Sequence, residues 1–142
     1  MALRVALALA AALIPAAAWA QQPAAPAQRI GVELNRLEDS DGGCRIYMVF
    51  SNPSADALSS LKLELISFDP AGVINRRLLV EGGPLSADKT VVKLFAMSDV
   101  ACGEIDRILL NDVPSCEGGG GPLPDCLSRL DISSRADAAF VK

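Results

Sequence analysis

Cys44-Arg-Ile-Tyr-Met-Val-Phe50 is the stretch on which the rest of the chain turns. In an extended backbone, Cys44, Ile46, Met48 and Phe50 share one face, while Arg45, Tyr47 and Val49 share the other. That two-residue period marks a strand with one buried face. The run stops at Asn52-Pro53, since proline cannot donate to a ladder. Upstream, Asp39-Ser-Asp-Gly-Gly43 reads as a turn, and before it Ile30, Val32 and Leu34 alternate with Gly31, Glu33 and Asn35 as a first strand. Downstream, Leu58 to Phe68 predicts a third strand with Leu61, Leu63 and Leu65 on one face and Lys62, Glu64, Ile66 and Phe68 opposite. Asp69-Pro-Ala-Gly72 supplies the next turn.

Val73 to Val80 returns as a fourth strand, broken by Glu81-Gly-Gly-Pro84. A fifth strand, Lys89 to Phe95, is β-branched at Thr90, Val91 and Val92, and a sixth runs from about Ile105 to Leu110. Short strands at even spacing, separated by Gly, Pro, Asn and Asp, argue for an all-β antiparallel sandwich or barrel. Beyond Val113 the pattern weakens. Ser115 to Cys126 holds too much Gly and Pro for regular structure, Pro124 to Leu130 reads as a helical turn, and Ala139-Phe-Val141 as a last strand. The expectation is six to seven strands over residues 29–113, with residues 114–142 a Gly/Pro loop and tail packed on the same domain.

The first twenty residues have the order of an export signal. Arg4 precedes an apolar run from Val5 to Pro15, and Ala18-Trp-Ala20 has the small residues of a cleavage site. The apolar run is shorter than the roughly 20 residues a bilayer span requires. Cleavage is expected after Ala20, with Gln21 to Gln28, rich in Ala, Pro and Gln, a disordered lead-in. The single arginine gives no support to twin-arginine export, and no cysteine stands at the cleavage point to take a lipid. A periplasmic or secreted protein without membrane insertion is the expectation.

Arg4 is the one charge of the signal, so removing it leaves 12 Lys and Arg against 17 Asp and Glu, a formal net charge of −5. No basic excess remains to hold nucleic acid or an anionic membrane. Four cysteines, Cys44, Cys102, Cys116 and Cys126, in a small exported domain favour disulfides over metal thiolates. They allow three pairings. Cys44 with Cys102 and Cys116 with Cys126 is favoured, because the second pair brackets a flexible Gly-rich segment that closes easily. A zinc site lacks both a Cys-x-x-Cys pair and any histidine.

The absence of histidine also removes Ser-His-Asp, Cys-His and imidazole acid-base schemes. Ser59-Ser-Leu-Lys62 matches the Ser-x-x-Lys signature of penicillin-recognising enzymes, but that signature works on a helix and this one lies on a predicted strand. Asp39-Ser-Asp-Gly-Gly43 starts like a calcium loop, yet Phe50 stands where a bidentate Glu is required. The glycines at 118 to 121 are not followed by Lys-Ser/Thr, so they form no phosphate loop. Neither a catalytic centre nor a cofactor or metal site is expected.

Several segments carry a resemblance. They run from Val32-Glu-Leu-Asn-Arg-Leu37 through Cys44, Val49-Phe-x-Asn52, Ser59-Ser-Leu-Lys62 and Phe68-Asp69. They continue through Gly72-Val-Ile-x-Arg-Arg77, Pro84-Leu85, Lys93-Leu-Phe95, Cys102, Ile108 to Val113, Cys116, Cys126 and Ser133-Ser-Arg135. Together they resemble a family of small exported proteobacterial proteins of unknown function, sometimes called "Tat pathway signal sequence domain" proteins. This chain departs from that label in lacking the twin arginines. The middle section, with Asn52, the long third strand, Asp69-x-x-Gly72 and Pro84-Leu85, is also similar to immunoglobulin-like sandwiches of bacterial envelope proteins. That likeness implies an immunoglobulin-like fold and carries over no functional residue.

The expected function is a non-catalytic module that binds or braces an unknown envelope protein, by strand addition at an exposed edge. Arg76 and Arg77 are the first candidate partner-facing residues. The alternative is a secreted inhibitor or small-ligand binder in which the Cys116 to Cys126 loop presents Leu123-Pro124 to a cleft.

Overall fold

The structure, a computed structural model, describes residues 29–142. The expected export signal and lead-in lie outside these residues. The described chain forms β1 (Ile30–Ser40), β2 (Gly43–Asn52), β3 (Leu58–Phe68), β4 (Ile74–Glu81) and β5 (Lys89–Ser98). A 3-10 turn at Cys102–Glu104 precedes β6 (Arg107–Gly118), β7 (Gly121–Pro122), a single helical turn α1 (Cys126–Arg129), β8 (Leu130–Ser134) and β9 (Ala139–Val141). One sheet has the order β5-β2-β1-β8; the other has β4-β3-β6, with β7 and β9 both along the far side of β6.

The alternating apolar residues define the space between the sheets. Val32 and Leu34 of β1, Ile46, Met48 and Phe50 of β2, Leu61, Leu63 and Leu65 of β3, and Ile108 and Leu110 of β6 are almost wholly buried. Leu85, from the β4–β5 connection, and Leu130, at the start of β8, close the core. Ile66 departs from the alternation. It lies on the outer side of its strand, yet neighbours Arg77 and Leu109 in register cover it to 9% exposure.

An all-β sandwich with two disulfides is correct; antiparallel throughout is not. β8 runs parallel to β1, from Ile30↔Leu130 to Leu34↔Ser134, and β9 runs parallel to β6. The cause is local. Cys116 is bonded to Cys126 at the end of the sandwich where β1 begins, so β8, which follows α1 directly, leaves that end in the same direction as β1. The sixth strand also passes the boundary set at Val113 and continues to Gly118, because β3 carries its ladder through Leu61↔Cys116 and Leu58↔Gly118 with three register shifts. A hairpin with β7 follows, where no regular structure was expected. Residues 114–142 are therefore woven into both sheets.

The bonds are Cys44–Cys102 and Cys116–Cys126. They fit an oxidising, extracytoplasmic setting. Among the described residues, no helix is long and apolar enough to cross a membrane.

Candidate interaction surface

A sheet edge presents unpaired N–H and C=O groups, and what a protein does with each edge distinguishes protected from available ones. β7, β9 and β8 are two, three and five residues long, too short to template much pairing. β4 and β5 are the long edges, with eight and ten residues, and they lie on the same side of the sandwich.

The β4 edge is guarded by charge. Gly82 N–H donates to the Leu61 carbonyl at 2.8 Å, which sets the ladder phase and turns the backbone groups of Arg77, Leu79 and Glu81 toward the free edge, up to a bulge at Asn75. Arg77 pairs with Glu64 across the strand, and Glu81 with Lys62 at 3.4 Å. The Arg77 guanidinium, with Asn111 as a second donor at 2.7 Å, holds the Glu64 carboxyl below its ordinary range. Arg76 occupies the opposite face and reaches Asp99 at 3.4 Å, tying the start of β4 to the end of β5. The two arginines thus face opposite ways, each with a carboxylate.

The β5 edge has a different character. Its pairing with β2 is continuous from Gly43↔Ser98 to Asn52↔Lys89 without a bulge. Ser40 and Gly43 flank the two-residue turn Asp41-Gly42 and form the closing bonded pair of that hairpin, so odd-numbered β2 residues bond β1 and even-numbered ones face β5. Asp99 N–H, donating to the Gly42 carbonyl at 2.8 Å, keeps the same phase. It follows that the backbone groups of Thr90, Val92, Leu94 and Ala96 point to the free edge.

Those same four residues carry their side chains on the outer face. Val92 is 60% and Leu94 52% exposed, beside Val49 and Tyr47 of β2 in register. The alternate residues turn inward: Phe95 meets Phe50 edge-on at 6.5 Å, and Met97 is buried. Lys93, the charge at mid-strand, also turns inward, its ammonium donating to the Glu81 and Gly83 carbonyls at 3.2 and 2.9 Å. No charged side chain therefore stands on the free edge between Thr90 and Ser98.

No family model, curated protein or solved structure matches the chain.

Leu123 lies at the far side of the molecule from the two arginines. It is half-buried, packs against the core, and its N–H donates to the Cys116 carbonyl at 2.9 Å. With Ile30, Ser54, Asp56, Leu58 and Arg129 it lines an open cleft of about 740 Å³. Asn52 backs this cleft, but its amide is fully engaged within the β2–β3 loop and the β4–β5 connection. The other candidate motifs are likewise committed to the fold. Ser59 Oγ donates to the Glu117 and Gly118 carbonyls, Lys62 pairs with Glu81, and the Asp39 carboxylate accepts the Cys102 N–H at 3.0 Å.

Sequence reasoning placed β-branched Thr90, Val91 and Val92 on a strand but had no means of knowing that this strand is an edge. Arg76-Arg77 drew attention because charge is visible in a sequence; the order of strands in a sheet is not.

Proposed function

We propose that this protein is a non-catalytic interaction module of the periplasm that binds or braces another envelope protein by accepting a strand along β5. The observation that supports it most is the bulge-free, uncharged free edge from Thr90 to Ser98 with Val92 and Leu94 exposed beside it. Main-chain bonds to the free edge would supply affinity, and the outer-face pair would select alternate apolar side chains on the incoming strand. The cysteine pairs and the export-like N-terminal sequence support the compartment. The inhibitor reading has less behind it, since Leu123 packs on the core instead of projecting from its loop.

The test is capture from a periplasmic extract with wild-type protein and with Val92→Lys/Leu94→Lys, alongside hydrogen exchange at the β5 amides. The expected result is a protein retained by the wild type, lost with the variant, and protecting Thr90, Val92, Leu94 and Ala96. Equal capture by both proteins, with these amides unprotected, would overturn the proposal.

A further inference from the structure

Resting on the reading of β5 as an acceptor edge, we infer that the strand it accepts in the isolated protein is β5 of a second copy, giving a twofold dimer with one continuous sheet across the interface. Two identical strands pair antiparallel about a twofold axis, and the free backbone groups at even-numbered positions restrict the register. With the axis at Leu94, Leu94 faces Leu94 of the second copy, Val92 faces Ala96, and Thr90 faces Ser98. On the inner side Lys93 then faces Phe95 and Val91 faces Met97.

Charge and strand overlap decide between this register and those centred on Lys93 and Val92. Moving the axis to Lys93 sets the two lysines directly opposite, a destabilising cross-strand pair. Moving it to Val92 leaves Ala96 and Ser98 without opposite residues in β5. The axis at Leu94 keeps every residue from Thr90 to Ser98 opposite a residue of β5 and sets no like charges across the pair. β4 offers no such match, because its edge is already occupied by the Arg77–Glu64 and Glu81–Lys62 pairs. Self-pairing and partner capture become competing uses of one edge.

The experiment is light scattering on the exported, disulfide-bonded protein over a wide concentration range, with Leu94→Lys and Val92→Lys compared by thermal melting to establish that they fold. A bismaleimide cross-linker is applied to Leu94→Cys, to Thr90→Cys, and to a mixture of Thr90→Cys with Ser98→Cys. Expected are a species of twice the chain mass, a dimer weakened by about tenfold or more in Leu94→Lys, and cross-linking of Leu94→Cys and of the mixture but not of Thr90→Cys alone. A dimer that Leu94→Lys leaves intact, or one without this cross-linking pattern, overturns the proposal. So does a monomer at every concentration, and a synthetic peptide of the sequence Lys89 to Ser98 then separates the two readings. Protection of the β5 amides by the peptide keeps the acceptor edge and removes only the dimer; failure of the peptide to bind removes both.

Discussion

Asn52 is 1% exposed and uses both ends of its amide to shape the chain beyond β2. Its Nδ2 donates to the Asp56 carbonyl at 2.8 Å and the Ser86 carbonyl at 3.1 Å, while Oδ1 accepts the Ser54 hydroxyl at 2.8 Å and the Ser54 N–H at 3.2 Å. Asn52→Ala strands these groups near the core, and the expected cost is about 2–3 kcal/mol. Urea unfolding should show it as a lower midpoint at unchanged slope. From the sequence, Asn52 was legible as the residue where a strand stops at proline and as one position of a resemblance, not as a buried hydrogen-bonding centre. Its role depends on Ser86, thirty-four positions away, and no local pattern reports a contact at that range. The same limit separated Arg76 and Arg77 from their carboxylates.

At Gly43 of β2 the backbone of β5 leaves no room for a side chain. A Cβ there would lie 2.2 Å from the Met97 carbonyl oxygen and 3.0 Å from the Ser98 Cα, and the residue has φ +154°. Backbone on the opposing strand cannot rotate aside as a long side chain can. Gly43→Ala is therefore expected to cost about 1–3 kcal/mol, with a faster loss of amide protection in β5 than in β3 when followed by hydrogen exchange. β2, β3 and their turns were legible because Cys44, Ile46, Met48 and Phe50, and Leu61, Leu63 and Leu65, recur at every second position between turn residues. β8 was not, since Leu130-Asp-Ile-Ser-Ser134 offers two apolar positions, too few to establish a period. β6 past Val113 was hidden by Pro114 and by the register shifts that accommodate it, which break the alternation although the pairing with β3 persists. Parallel pairing leaves no trace in such a pattern at all.

For the whole molecule, the two disulfides are a large part of what keeps it folded. They close loops of 58 and 10 residues. In the chain-entropy model these contribute about 4 and about 3 kcal/mol, comparable with the roughly 5–15 kcal/mol by which an ordinary domain is stable. Reduction is expected to lower the thermal midpoint sharply. Losing Cys116–Cys126 alone should have the smaller effect, as circular dichroism of Cys116→Ala/Cys126→Ala and Cys44→Ala/Cys102→Ala would measure. The parallel return of β8 has one more consequence. Ile30 lies opposite Leu130, and the Lys142 ammonium bonds the Leu127 and Leu130 carbonyls, so the start of β1 and the last residue are both held against the start of β8. A short linker can join them, and the backbone can be reopened at Gly119-Gly120, where an added Cβ would meet nothing. The order in which the strands are synthesised is thus separable from the architecture they build, and a circularly permuted chain starting at Gly120 has the same two sheets available to it.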